Sequence, residues 1–232
     1  MASTSPVILI LGSGPNVGHH VARAFAAKGY KVALASRGVK DEDAKNADQI
    51  RISADLSDPL SVKGIFSKVE ASLGTPSVVV YNASAGSAND PKDPLSVTLA
   101  SFSRDLQVNT TSVFAAAQQA VSAFEKLPGH LSKTFIFTGN ILNETPIANL
   151  TVGGVGKSAT AHLIRSAAAA YADRGFKFYY ADERNADGSP AYAKINGEAH
   201  GKYYAELAEH KSQGPWQQTF VKEVGYKHFP AA

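Results

Sequence analysis

Cysteine is absent from the 232 residues. Disulfides, zinc–thiolate sites, iron–sulfur clusters and thiol catalysis are excluded with it. Long apolar stretches are missing too. Runs such as Val7 to Leu11 fall far short of the roughly 20 residues a membrane helix needs. No basic leader precedes that run, so it does not read as a secretory signal. Charge of either sign is scarce: 23 Lys and Arg face 20 Asp and Glu, a formal excess of +3. So small and scattered an excess gives no surface for nucleic acid or membrane. No H-x-x-x-H or H-E-x-x-H occurs, and the adjacent His19 and His20 diverge on a helix, so no metal is expected. No G-x-S-x-G elbow for serine hydrolysis is found either. A cytoplasmic protein is the expectation these absences leave.

What is present is an ordinary globular composition, 44% hydrophobic and 19% charged, without repeats or low-complexity linkers that would divide it. One domain over 1–232 is expected. Short apolar runs alternate with longer helical stretches. Strands are predicted at Val7–Leu11, Lys31–Ser36, Ile50–Ala54, Ser77–Tyr81, Thr134–Thr138, Phe176–Tyr180 and Gln218–Val221. Helices are predicted at Val17–Lys28, Pro59–Ser72, Ser101–Leu127, Val155–Arg174 and Glu198–Lys211. The order predicts an α/β protein: a Rossmann-like, doubly wound parallel sheet of about seven strands, with helices on both faces. Asp182–Gly197 lacks periodicity and is predicted to be a loop or hairpin, with 182–217 as the substrate side.

Between the first strand and first helix lies Gly12-Ser13-Gly14-Pro15-Asn16-Val17-Gly18. Glycines there let the backbone bend tightly near a pyrophosphate, and the helix N-terminus behind them offers free N–H groups and a positive dipole end. At this point the chain resembles the short-chain dehydrogenase/reductase family, whose turn is T-G-x-x-x-G-x-G. Gly12 and Gly18 match its first and third glycines, and Asn16 takes the middle one's place, a residue that tolerates left-handed backbone. The resemblance spans about residues 6 to 180. It implies that Gly12, Gly14, Asn16, Val17 and Gly18 form the phosphate turn. Ser36-Arg37 ends the second strand where NAD-preferring members carry an acid. Arginine there pairs with a 2′-phosphate, so NADP(H) is expected over NAD(H). Asp55-Leu56 matches the pair beside the adenine, and Asn82-Ala83 the step beside the adenosine ribose.

The family's chemistry uses an asparagine, a serine and Y-x-x-x-K. Asn109 matches the asparagine and Lys157 the lysine, which also holds the nicotinamide ribose. Four residues before Lys157 stands Gly153 instead of tyrosine, and thirteen before that Asn140 replaces serine. The resemblance thus implies a degenerate tetrad, with Asn109, Asn140 and Lys157 as the remaining catalytic positions. The P-G step that normally covers the nicotinamide is replaced by Asp182-Glu183-Arg184, read as a helix cap or an ion pair.

Substitute acids or bases include Tyr180, Asp182, Glu183, His162 and His200. His200 reads as solvent-facing in a polar helix start, Tyr203 and Tyr204 as packing or lid residues, and Gly214-Pro215-Trp216 as a turn with an aromatic anchor. The stretch from Gly153 to Ser158 superficially resembles a phosphate loop, but Thr151 stands where its first glycine is required. Four N-x-[ST] sequons occur, two of them on the cofactor and catalytic landmarks Asn82 and Asn109, which argues against glycosylation. An NADP(H)-dependent oxidoreductase acting on a small molecule is the leading expectation. A non-redox dinucleotide-binding sensor or partner subunit, or a lyase or isomerase reusing the scaffold, stays open. A homodimer or homotetramer through the two long helices follows from the family analogy.

Overall fold

A computed structural model describes residues 5–38, 42–46 and 48–230. Nine strands form one sheet. β1 (Val7–Leu11), β2 (Lys31–Ser36), β4 (Gln49–Ser53), β5 (Pro76–Tyr81), β6 (Thr134–Thr138), β7 (Lys177–Arg184) and β8 (Gln217–Val221) are parallel, in the order β4-β2-β1-β5-β6-β7-β8. Antiparallel strands close the edges, β3 (Glu42–Asn46) beside β4 and β9 (Gly225–Tyr226) beside β8. The seven parallel strands are those the apolar runs predict.

Both faces are covered, which is why β1 and β5 read as unbroken apolar runs. On one face α2 (Ser61–Ser72), α4 (Ser112–Lys126) and α5 (Thr151–Tyr171) bury Ile65, Phe124 and Ile164 against Leu9, Val79 and Phe135. On the other, α1 (Val17–Ala27) and α6 (Gly197–Glu209) bury Val21, Phe25 and Leu207 against Ile8, Val80 and Tyr179. The helix expected over 101–127 begins earlier. Thr98 caps α3 (Leu99–Leu106), its hydroxyl accepting from Ser101 N at 3.2 Å. Gln107–Thr111 then forms a π-helical turn before α4, the kind of local bulge that re-aims side chains.

Two boundaries correct the sequence reading. α5 starts at Thr151, four residues before the predicted Val155, because Gly153, Gly154 and Gly156 weaken the helical signal without preventing a packed helix. β7 runs through Arg184, so Asp182-Glu183-Arg184 is buried strand and not the start of a loop or a helix cap. The ion-pair reading of that tripeptide holds: Arg184 Nε sits 2.5 Å from Asp182 Oδ2 and Arg184 Nη2 3.3 Å from Glu144 Oε2. Pairing is what permits charged residues there.

Candidate functional site

In a parallel sheet ligands collect at the strand C-termini, where the connections diverge. The order places that divergence between β1 and β5, whose crossovers leave toward opposite faces. Gly12 ends β1 at φ +96°, and a Cβ there would run into the backbone of Ala83. Its glycine requirement is therefore the crossing with the next strand's exit, locked by Asn82 Nδ2 donating to Gly12 O at 2.8 Å. Gly18 is needed for a similar reason: its Cβ would lie 2.7 Å from Ser13 Cα. Gly14 meets nothing within 4 Å and opens onto a groove.

That groove has a volume of about 520 Å³ and is walled by Gly12–Pro15, Ser36–Gly38, Ala54–Leu56, Asn82–Ala85 and Val108. The size lies in the range of small-molecule sites. Four successive strand ends are braced around it. Ser13 Oγ donates to Ser36 Oγ at 3.1 Å. Asp55 Oδ1 accepts from Ser57 N at 3.0 Å, and that bond with the nearby Arg37 cation holds its carboxyl below the usual range. Ser112 Oγ fixes Leu56 O at 2.7 Å, and Tyr81 hydroxyl fixes Val108 O at 2.6 Å. Arg37 is exposed at the rim. Of the expected cofactor residues Gly12, Gly14, Ser36, Arg37, Asp55, Leu56, Asn82 and Ala83 come together in this wall. Val17 and Gly18 lie behind it, buried at the start of α1.

Asn16 behaves differently from expectation. Its φ is −92°, not left-handed, so tolerance of that conformation is not its use. Its amide spans to the far end of the chain instead, Nδ2 donating to Ile195 O at 3.0 Å and Oδ1 accepting from Gly197 N at 2.9 Å. A Cβ on Gly197 would come within 2.5 Å of Asn16 Oδ1, and one on Gly201 within 2.7 Å of His20 O. These two glycines let α6 lie directly on α1. Asn16 therefore does not cap α1 with its side chain.

Deeper, Asn109 sits in the π-turn, buried. Its Oδ1 accepts from Ala85 N at 3.0 Å and its Nδ2 donates to Ala85 O at 2.6 Å, while its own carbonyl accepts from Thr160 Oγ1 at 2.6 Å. Lys157 is buried, its Nζ donating to Thr138 O at 2.8 Å and lying 4.3 Å from the Phe137 ring centroid. Burial, against the pull of Asp182, lowers its pKa to about 8. Gly153 faces Leu142. Asn140 Oδ1 caps the short 3₁₀ turn Ile141–Asn143 by accepting from Leu142 N at 3.1 Å, which leaves Nδ2 free to donate.

Thr138–Leu142 and Asp182–Glu183 border a second, smaller cavity of about 90 Å³, roofed by Pro190–Tyr192 and Ile195. His200 lines it and is 1% exposed, which corrects its reading as solvent-facing. Its Nδ1 lies 2.9 Å from Asn196 O and 3.4 Å from Glu183 Oε2, and burial pushes its pKa down to about 4. Tyr203 and Tyr204 are packing residues, both buried. His162 is exposed on the outer face of α5, away from both cavities. Trp216 packs edge-on to Tyr180, with centroids 6.3 Å apart. Sequence reasoning offered no signal for the Asn16 bridge, since its partners lie 179 and 181 residues away.

A crevice of this form at the switch point of a doubly wound sheet defines a Rossmann-like α/β protein. The chain belongs to the short-chain dehydrogenase/reductase family: the family model described as enoyl-(acyl carrier protein) reductase matches residues 13–180. It is 48% identical over 239 residues to the short chain dehydrogenase/reductase dmxR12 of Cryptosporiopsis sp. (strain 8999), covering 98% of this chain and 96% of that protein. It is 25% identical over 197 residues to cis-4-hydroxycyclohexanecarboxylate dehydrogenase of Sinomonas cyclohexanicum, covering 80% and 77%. In fold it is similar to a short-chain type dehydrogenase/reductase from Mycobacterium marinum, with a TM-score of 0.75 at 21% identity over 95% of both chains. The family's members bind nicotinamide dinucleotides and carry out oxidoreductase chemistry. Among the described residues no helix is long and apolar enough to cross a membrane, and no cluster of three or more metal-ligating side chains occurs.

Proposed function

We propose that this chain binds NADP(H) in the 520 Å³ groove and works as an oxidoreductase whose tetrad is degenerate, with Gly153 and Asn140 in the places of tyrosine and serine. The observation that carries the proposal is the groove itself, with the phosphate turn, Arg37, Asp55 and Asn82 brought to one cavity. The donor set fits the adenosine half: Gly14 leaves open space beside the turn, and the α1 N-terminus keeps its N–H groups free of a side-chain cap. Ser36 and Arg37 would take the 2′-phosphate, the guanidinium by paired hydrogen bonds. Asp55 and Leu56 would flank the adenine, and Asn82 and Ala83 the ribose.

Bound there, the dinucleotide supplies a hydride donor or acceptor. Lys157 would contribute positive charge toward the nicotinamide end, Asn140 Nδ2 would donate to a substrate oxygen, and Asn109 holds the Ala85 backbone in the crevice wall. Asn109 is thus a positioning residue. Residues 182–217 form the substrate side through the roof of the smaller cavity. The apolar groove of about 670 Å³ along α4 and α5, with Phe114 and Leu163 in its wall, supports a homodimer or homotetramer through those helices. A cytoplasmic location belongs to the same proposal.

Titration of the purified protein with NADPH and NADH, followed by cofactor fluorescence and thermal shift, tests the proposal. NADPH is expected to bind and raise the melting temperature, with NADH weaker, and Arg37→Asp is expected to reverse the order. Binding of neither cofactor overturns the reading. A non-redox binding role is the second reading, favoured by Gly153; it predicts binding without reduction of any carbonyl probe.

A further inference from the structure

Gly153 leaves the proposed reaction without its usual proton donor, and the smaller cavity contains a side chain placed to serve. We propose that Asp182 is the catalytic acid–base residue, exchanging its proton with the substrate oxygen; this inference rests on the oxidoreductase reading above.

Three independent placements support it. β6 and β7 pair with Thr138 opposite Ala181, so Asp182 lies one step past the end of β6, beside Gly139 and Asn140. Alternation along β7 puts its carboxyl on the same sheet face as Tyr180 and Arg184. That is the α5 face, from which Lys157 reaches under the site and acts on it electrostatically. The cavity bordered by Asp182 and Asn140 has apolar walls in Ile141, Leu142, Ile147 and Leu150, which suit a carbonyl carbon and its substituents.

Asp182 is 1% exposed. Its Oδ2 is held by Arg184 Nε at 2.5 Å, and its Oδ1 takes no hydrogen bond from the described residues. One oxygen is thus anchored and the other is available. Burial pushes its pKa up to about 6, against the pull of Arg184 and Lys157 and with the push of Glu144. Such a value lets a carboxyl exchange protons near neutral pH.

The buried groups nearest it are committed; of the other titratable side chains on this cavity, the His200 ring is held at Asn196 O and Tyr192 stands exposed at the roof. Tyr180 donates its hydroxyl to Asn140 O at 2.7 Å, and Tyr204 donates to Thr138 Oγ1 at 2.9 Å; burial raises the pKa of both. Lys157 Nζ is bonded to Thr138 O. Glu183 projects to the opposite face, where its Oε2 accepts from Asn196 N at 2.7 Å and lies beside His200.

In the reducing direction the carbonyl carbon gains a hydride, supplied by the dihydronicotinamide, and the C=O π pair moves onto oxygen. The Asp182 Oδ1–H bond breaks and that proton goes to the oxygen, with Asn140 Nδ2 donating a hydrogen bond to the same atom. The dinucleotide ends oxidised and the substrate reduced. The carboxylate remains paired with Arg184 until water returns a proton.

The test uses the full chain, NADPH, and phenanthrenequinone and cyclohexanone as carbonyl probes. Asp182→Asn is expected to lower kcat at least about a hundredfold while NADPH affinity stays unchanged. Asp182→Glu should keep part of the rate and displace the limb on which carbonyl reduction falls as pH rises. As a readout separate from turnover, carbon-13-labelled aspartate in the wild type should show one carboxyl titrating well above the ordinary range, with that resonance absent from Asp182→Asn. No such carboxyl overturns the inference even if the variant fails to fold. A wild type that binds no dinucleotide or reduces neither probe removes the oxidoreductase reading and this inference with it. Unchanged turnover in Asp182→Asn, or turnover lost instead in Tyr180→Phe or Tyr204→Phe, removes the inference alone.

Discussion

Asn16→Ala isolates the bridge between the phosphate turn and the roof of the smaller cavity. The substitution removes two hydrogen bonds, to Ile195 O at 3.0 Å and from Gly197 N at 2.9 Å. Asn16 is exposed, so truncation leaves no cavity and water re-solvates both partners. Each bond then contributes about 0.5–1 kcal/mol net, the lower part of the usual range because water replaces the lost partner, giving a loss of about 1–2 kcal/mol. For a domain of this size that lowers the melting temperature by roughly 2–8 °C. A loss confined to the roof also raises local opening there, so amide exchange at Gly197 and Ala199 should accelerate about tenfold or more while β1 and β5 are unaffected. Asn16→Ser distinguishes the bridge from helix capping. Serine is a good N-cap, yet it is too short to span both partners, so it should not restore slow exchange. Calorimetry and hydrogen–deuterium exchange on the three proteins settle the matter. An unchanged melting temperature with unchanged exchange over 195–199 refutes the reasoning, and full rescue by serine reassigns the residue to capping α1.

Gly139→Ala should destabilise the chain by about 1–3 kcal/mol. Its Cβ would collide with the Tyr180 ring, which is pinned by Asn140 and lies tilted against Phe137 with centroids 5.5 Å apart. Gly14→Ala, with open space around it, should leave the urea midpoint unchanged; equal losses at the two sites would contradict this. Stability should also rise between about pH 8 and 9, below the range in which buried tyrosines such as Tyr180 and Tyr204, with raised pKa values, oppose the gain. Burial depresses both Lys157 and Lys177 to about 8, so in that window the unfolded chain holds protons that the folded chain has released. The gain is at most about 1.4 kcal/mol per pH unit for each lysine. Urea denaturation across that range should show it, and Lys157→Met should remove about half; a flat or falling profile refutes the assignment.

The fold was legible because its signal is repeated. The central strands β1, β5 and β6 each present an apolar run, and parallel strands covered on both faces require such runs. The adenosine side of the site was legible for a related reason: its residues stand at strand ends, where short motifs mark them. The remainder depended on contacts that no local pattern encodes. His200 is flanked by Glu198 and Lys202 and looks solvated, yet it packs edge-on to Phe220 at 5.0 Å in an α6 that Gly197 and Gly201 allow to lie directly on α1. Asp182-Glu183-Arg184 reads as a polar turn, but β8 pairs with every residue of it, from Asp182 with Thr219 to Arg184 with Val221. A strand whose charges neutralise one another leaves no hydrophobic trace.

Extension of β7 also explains why the proposed chemistry can differ from the family pattern without altering the scaffold. Ending the strand at Tyr180 would place Asp182 in a loop, free to turn toward water with an ordinary carboxyl pKa. Continuing it to Arg184 fixes the carboxyl in the sheet beside Asn140 and gives it a cation two residues along the same face. The missing bulk at Gly153 has the complementary effect, because Leu142 lies against the helix there, where a Cβ on Gly153 would sit 3.3 Å from its side chain. Restoring tyrosine by Gly153→Tyr should therefore displace Leu142 and open the apolar wall of the cavity, not supply a second proton donor. The expected outcome is lower stability with no gain in turnover, measured by thermal shift and probe reduction; a faster enzyme would show that the tyrosine position, and not Asp182, still governs the reaction.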